Sequence, residues 1–257
     1  MKALSIAASG MVAQQHRTEV VANNLANMNT TGYQRRRTEF NDLLYRHIQR
    51  RVSTGSQPGE VVPSGVHSGL GVKVGAVYRV HEQGALKSTT NTFDMAIQGV
   101  GYFQIQLPNG DIAYTRDGTF QLDGSGQMVT HDGFPVQPGI SIPAGATDIT
   151  INSSGEIQAT QGDGTTANVG GLLLAMFPNP GGLNALGDNM FVATERSGGA
   201  ATVTPGGNGA GAILQGFVES SNVNAIDEVS ALVRANRAYE MNAKVMKAAD
   251  AMLATRR

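Results

Sequence analysis

Apolar residues recur every seventh position at both ends of the chain and every second position between them. Near the start, Leu4, Met11, Thr18 and Leu25 share the seven-residue interval, flanked by Ala8, Gln15 and Ala22. Near the end, Ala225, Leu232, Tyr239, Met246 and Leu253 repeat it, with Val229, Asn236, Ala243 and Asp250 three residues before the last four. This spacing predicts a helix at each terminus. Asn224 is placed to cap the second helix, with Asp227 three residues on. Gly32, after Thr30 and Thr31, is the expected stop of the first. Thr18, Gln15, Asn236 and Asp250 make both stripes too polar for a free-standing coiled coil. The two ends are therefore expected to pack on each other and on something further.

The middle has the other period. In FQIQLPNGDIAYTR, Phe103, Ile105 and Leu107 alternate with polar residues, Asn109-Gly110 supplies a turn, and Ile112 and Tyr114 resume the alternation. FQLDGSGQMVT, turning at Asp123 to Gly126, and ITINSSGEIQAT, turning at Ser153 to Gly155, repeat the device. Closely spaced short strands with no helical period between them predict an all-β domain.

Glycine, proline and charge mark the boundaries. All nine prolines lie between Pro58 and Pro205, and no glycine follows Gly216. Residues 1–71 carry 8 basic and 4 acidic groups, 72–215 carry 5 and 11, and 216–257 carry 6 and 5. An acidic, turn-rich centre thus separates two helical ends. The expected class is α+β: terminal helices (1–32 and 217–257) packing as a coiled-coil-like pair, an extended connector (33–71) and a β-rich domain of short antiparallel strands (72–216). The opening MKALSIAASGMVA has a lysine before a short apolar run, but Ser5, Ser9 and Gly10 dilute it and the helical pattern continues to Met28, which reads against a cleaved leader. No stretch approaches the roughly 20 apolar residues of a membrane-spanning helix.

One stretch resists the helical reading. ANNLANMNTTGYQRRR packs Asn23, Asn24, Asn27 and Asn29 into a helix end, although asparagine is a poor helix former whose amide is costly to bury without partners.

Searches for chemistry return little. With no cysteine there is neither a disulfide framework nor a thiolate metal site. His16, His47, His67, His81 and His131 lack ligand spacing. GGNGAG at 206–211 lacks the lysine and the strand-to-helix context of a phosphate loop. Asp117 and Asp123, beside glycines, invite a calcium reading, but the ligand pattern is incomplete and Asp-Gly is an ordinary turn. No Gly-x-Ser-x-Gly elbow is present. Arg35, Arg36 and Arg37, with Arg46, Arg50 and Arg51, could form a nucleic-acid patch, yet the chain is net −1 and no aromatic platform lies near them. A solvated face, or one meeting an acidic neighbour, is the expected alternative. No catalytic group, cofactor, metal or nucleic-acid partner is expected.

ANNLANMNTTGYQRRR, then FDMAIQGVGYFQIQLPNGDIAYTRDGTFQLDGSGQMVTHDGFPVQP, then GFVESSNVNAIDEVSALVRANRAYEMNAKVMKAADAML resemble the bacterial flagellar rod and hook axial family over nearly the whole chain. Within it, the length, the FNDLLYRHIQR segment and the SNVN-to-AYEMNAK tail most resemble the distal-rod type, with the proximal-rod or hook type as the alternative. The resemblance implies a structural subunit that is exported by the flagellar type III apparatus without leader cleavage and polymerises with itself into a hollow helical shaft. In such a shaft the terminal helices form the inner layer and the β domain lies outside. It further implies a periplasmic rod in the basal body that transmits motor torque to the hook, forms part of the export channel, and meets the proximal rod protein, the hook protein and the ring bushings of the peptidoglycan and outer membrane. The segment from Tyr45 to about Gly71 would be the extended part that keeps the rod straight.

In a tube of like subunits, the contacts are expected from Leu4, Met11, Leu25, Met28, Val229, Leu232, Tyr239, Met246 and Leu253. Asn236 is expected among these contacts, and Asn23, Asn24 and Asn27 are expected to hydrogen-bond across the seam or face the channel, fixing register as a buried heptad asparagine does. A secreted β-rich adhesin would account for the centre but not for the heptad ends, and a cell-wall hydrolase would require a convergent catalytic cluster.

Overall fold

The computed structural model describes residues 2–47 and 67–255. The chain divides into two units. The first comprises residues 1–25, 36–78 and 225–257, and the second residues 26–35 and 79–224.

The first unit contains both long helices, α1 (Lys2–Ala26) and α2 (Ala225–Ala254). The covered face of each is lined by small or polar side chains. On α1 the buried positions Ala7, Ala13, Val21 and Asn24 lie along the side that carries Gly10. On α2 they are Glu228 and Ala235, continued by half-buried Asn242 and Ala249 at the same seven-residue interval. Gly10 explains why one line is so small: a Cβ there would stand 2.7 Å from Nδ2 of Asn242, so α2 approaches α1 closely at this point. α2 starts at Ala225, directly after Asn224, with Asp227 and Glu228 in its first turn, where acidic side chains favour the helix N-terminus.

Two strands, Arg36–Asp42 and Val72–Arg79, pair with each other, and Tyr45–His47 pairs antiparallel with His67–Gly69. The segment read as a connector therefore contains paired strands. Its residues 48–66, and with them most of the stretch expected to stiffen the rod, lie outside the described residues.

The second unit is β throughout, apart from a single 3-10 turn at Pro180–Gly182. Its largest sheet runs in the order Asn184–Gly187, Met190–Val192, Ile112–Thr115, Tyr102–Gln106, Leu174–Met176, Ala201–Val203, and Val136–Gln137 also pairs with Tyr102–Gln106. Ala146–Ile151, Glu156–Gln161 and Thr166–Gly171 form a three-stranded meander. Its main core gathers Met95, Ile97, Phe103, Ile105, Phe120 and Leu174, with the Phe103 and Phe120 rings edge to face at 5.2 Å.

The strand Tyr102–Gln106 departs from its alternating pattern. Phe103 and Ile105 face the main core as expected, but Tyr102 and Gln104 are buried too. The reason is a second apolar cluster, in which Tyr102 and Tyr114 meet Phe177 edge to face at 5.9 and 4.8 Å, beside Leu183 and Phe191. A strand covered on both faces needs no polar side, and Gln104 is buried there as well.

The predicted turns are present, with one refinement. In each, a carbonyl accepts the amide three residues on and the last residue is a left-handed glycine: Leu107 to Gly110 (φ +89°), Asp123 to Gly126 (φ +80°) and Asn152 to Gly155 (φ +82°). Asn109 itself does not take positive φ, so this hairpin is the three-residue kind closed by a glycine bulge rather than a two-residue Asn-Gly turn.

Two helix limits differ from expectation. α1 ends at Ala26, six residues before Gly32, and Asn27 to Gly32 form successive turns, with the Thr30 amide donating to the Asn27 carbonyl at 3.2 Å. At the other end, Phe217–Glu219 is a strand paired with Leu86–Ser88 and belongs to the β unit, so the helical portion starts at Ala225 rather than 217.

Candidate assembly interface

The four asparagines that interrupted the first helix have separate positions. Asn24 is 1 % exposed, and its amide is spent inside its own subunit: Nδ2 donates to the Arg36 carbonyl and Oδ1 accepts from the Arg36 amide, both at 2.8 Å. Within the single chain, folding back onto Arg36 satisfies both ends of the amide. Asn23 is exposed one position earlier. Asn27 lies in the turn, where its Oδ1 accepts from Thr30 Oγ1 at 3.3 Å. Met28 and Asn29 are exposed in that turn, beyond the helix that was expected to carry Met28 on its seam.

The remaining expected contact residues divide by exposure. Leu4, Met11, Leu25, Leu232 and Met246 are half-buried, while Val229, Asn236, Tyr239 and Leu253 are exposed. Sequence reasoning missed the most exposed apolar side chains of α2, namely Ile226 (77 %), Met241 (60 %) and Met252 (71 %), together with Val233 and Val245, and on α1 it missed Ile6 and Val12. The signal was present but disguised. Glu228, Ala235, Asn242 and Ala249 keep a strict seven-residue interval, but an acid, an amide and two alanines do not look like a covered face.

A second group of residues ties together the three chain segments that bound the β unit. Residues 27–35, 79–85 and 217–223 bond mainly to one another. The Gly32 amide donates to the Glu219 carbonyl at 2.8 Å, the Val80 amide to the Arg35 carbonyl at 2.9 Å, and the Ser220 amide to the Ala85 carbonyl at 2.9 Å. Asn222 bridges all three: Oδ1 accepts from the Arg35 amide at 2.7 Å, and Nδ2 donates to the carbonyls of Val80 and Glu82, each at 2.9 Å. The body of the unit reaches this point through Arg116, whose Nε and Nη2 meet Glu219 Oε2 at 2.9 and 2.6 Å in a pair whose side chains are only 6 % and 5 % exposed. Arg116 Nη1 also donates to the carbonyls of Gly99 and Gly101 at 2.8 and 2.9 Å, and Glu219 Oε1 accepts from the Gly84 amide at 3.0 Å. A buried guanidinium and carboxylate need this degree of saturation to offset their lost hydration.

The candidate ligands read from sequence are occupied by their own turns. Asp123 Oδ1 accepts from the Ser125 and Gln127 amides, both at 2.8 Å, and hydrogen bonds from Ser125 hold its carboxyl below the usual range. Asp117 Oδ1 accepts from Thr119 N and Oγ1 at 3.0 and 2.8 Å, yet burial outweighs these bonds and pushes its carboxyl up. Burial, then the charge of Arg79, lowers His81. No group of three or more potential metal ligands occurs among the described residues. Among them, too, no helix is long and apolar enough to cross a membrane.

Comparison with known proteins follows the same blocks. Residues 4–34 match the family described as flagella basal body rod protein, 96–159 the flagellar hook protein FlgE/F/G D1 domain, and 214–255 the flagellar basal body rod FlgEFG protein C-terminal. The chain is 53 % identical to the flagellar basal-body rod protein FlgG of Caulobacter vibrioides over 254 residues, covering 98 % of this chain and 97 % of that protein. It is 35 % identical to FlgG of Bacillus subtilis, again covering 98 % and 97 %. Its identity to the rod protein FlgF of Mesorhizobium japonicum is 32 %, covering 95 % and 91 %. The chain belongs to the flagellar basal-body rod protein family, as a structural subunit and not an enzyme, and among its members it is most like those named FlgG, the distal-rod type.

Proposed function

We propose that this subunit polymerises with itself into the hollow helical distal rod, and that the terminal helices carry the subunit contacts with the β unit outside them. The observation that carries this reading is the number of large apolar side chains of α2 exposed in the single chain, Ile226, Val229, Val233, Met241, Val245 and Met252, interspersed with Arg234, Arg237, Glu240 and Lys244. Fully burying such a side chain contributes roughly 1.5–3 kcal/mol, so several of them on one helix are a strong drive to associate. Contacts of this kind between like subunits need not close on themselves, and a repeated non-closing contact builds a helix. We count Val229, Leu232, Asn236, Tyr239, Met246 and Leu253 on α2, and Leu4, Met11, Asn23, Leu25, Asn27 and Met28 near the other end of the chain, among the contact residues of this assembly. Asn24 supports it from within its own subunit.

The resemblance extends the proposal to the rod's setting. The subunit would leave the cell by the flagellar type III apparatus without losing a leader, and would stand in the periplasm between the proximal rod and the hook. There it would turn inside the peptidoglycan and outer-membrane bushings, pass torque outward and enclose part of the export channel. Two measurements test this. Loss of the gene should leave cells without hooks and filaments, whereas intact flagella with altered adhesion would favour the adhesin class. Electron microscopy of the concentrated protein should show straight tubes, and curved tubes would favour a hook-type subunit.

A further inference from the structure

The buried pair Arg116–Glu219 and the bridging amide of Asn222 are unaccounted for by polymerisation through the helices. They lie within the β unit, and neither is needed to fill its apolar cores. What distinguishes them is where their partners come from. Glu219 and Asn222 belong to the segment before α2, Gly32 and Arg35 to the segment after α1, Val80, Glu82 and Gly84 to the segment between the strands Val72–Arg79 and Leu86–Ser88, and Arg116 to the body of the unit. Remote parts of the sequence therefore meet at one polar point, with Arg116 and Glu219 103 positions apart and Arg35 and Asn222 187 positions apart.

We propose that Arg116, Glu219 and Asn222 form a latch that locks the segments following α1 and preceding α2 onto the β unit only after that unit has folded. This rests on the reading that the helices carry the subunit contacts. The physical argument is the cost of a half-made latch. Arg116 is positioned by the carbonyls of Gly99 and Gly101, which lie between the strands Met95–Gln98 and Tyr102–Gln106 and take their places when those strands do. Until then Glu219 has no buried cation to meet, and burying it alone is strongly unfavourable. Once Arg116 is in place the reverse holds: the guanidinium stays uncompensated until the segment containing Glu219 closes over it.

Closure then propagates through backbone groups. Glu219 Oε1 takes the Gly84 amide, the Glu219 carbonyl takes the Gly32 amide, and Asn222 fixes Arg35 and Val80. Gly32 is shaped for this site: it has φ +69°, and a Cβ there would stand 2.8 Å from the Asp117 backbone nitrogen. The latch residues are positioning residues for assembly. Their effect is to make the exits of both helices depend on a completed β unit, which would keep an incompletely folded subunit out of the polymer.

The test is amide hydrogen exchange on the purified full-length monomer, which reports local opening separately from global unfolding, combined with an assembly assay. In Glu219→Gln the amides of Gly32, Gly84 and Ser220 should exchange at least tenfold faster than in the wild type, while those of Phe103 and Ile105 stay protected, and polymerisation should slow. Unchanged exchange at Gly32 and Ser220, or tenfold faster exchange with polymerisation at the wild-type rate, would overturn the proposal. If core protection is lost as well, Asn222→Ala decides: it leaves the ion pair intact, and the proposal requires faster exchange at Arg35 with Phe103 and Ile105 unchanged, and fails without it. Val233→Glu separates the two readings, since it leaves the latch untouched. Normal polymerisation of that variant would remove the helix-contact reading, while exchange in Glu219→Gln would still judge the latch.

Discussion

Asn24 holds Arg36 by both ends of its amide, with Nδ2 on the carbonyl and Oδ1 on the backbone N–H, each at 2.8 Å. The contact fixes the chain 12 residues on, where the strand Arg36–Asp42 begins. Asn24→Ala should lower the stability of the monomer by about 2–3 kcal/mol, because it leaves a paired donor and acceptor without partners. Asn24→Asp should not rescue it, since a carboxylate cannot donate to the Arg36 carbonyl. Urea unfolding of the two variants checks both statements, and a stable Asn24→Asp protein would contradict the second.

Gly32 and Gly110 both have positive φ, +69° and +89°, but their surroundings differ. A Cβ at Gly110 meets nothing within 4 Å, whereas one at Gly32 lies 2.8 Å from Asp117 N and 2.9 Å from the Arg116 carbonyl carbon. Gly110→Ala should therefore cost only the left-handed penalty of about 1–2 kcal/mol. Gly32→Ala must also move backbone and should cost more than about 3 kcal/mol. Thermal melts of the two variants provide the comparison, and equal losses would contradict it.

Asp117 gives stability a pH dependence of definite sign. Burial raises its carboxyl above the ordinary 3.8, against the opposing hydrogen bonds from Thr119 and the charge of His131 and with a further upward push from Asp94. A carboxyl raised by folding takes up its proton more readily in the folded state. Its favourable contribution is thus complete below the ordinary value and is lost as pH rises through the raised one. Asp117→Asn keeps an oxygen for Thr119 and removes the charge. The variant should melt above the wild type at about pH 7.5 and approach it at about pH 4. A wild-type advantage at the higher pH would show the sign to be wrong.

Met241 and Val245 are exposed in the single chain. Met241→Glu and Val245→Glu should each change monomer stability by no more than about 0.5 kcal/mol. Both should abolish or sharply reduce polymerisation, which light scattering at high concentration would follow. Normal tubes from either variant would mean that this side of α2 is not buried in the assembly.

These predictions divide according to what the chain reveals before it folds. The period of seven marks two helices and the period of two marks the β unit, because local backbone geometry sets both repeats. The turns at Gly110, Gly126 and Gly155 are legible for the same reason: a left-handed residue in a tight turn selects glycine wherever the turn lies. The limits of α1 were less legible. Leu25 and Met28 are helix-compatible and the pattern runs past Ala26, but the pairing of Asn24 with Arg36 and of Gly32 with Glu219 draws the chain away there.

By itself, then, the sequence determined the class of each segment, the turn positions and, through its three matching blocks, the family, since these depend on neighbours a few residues apart or on the residues themselves. Only the tertiary structure decided which face of each helix is covered, why Gln104 is buried, and that Arg116 meets Glu219. Those outcomes depend on which residues far apart in the chain share one site, and the cost of burying a charge or an amide is settled by the partner it finds there, not by its neighbours in the chain.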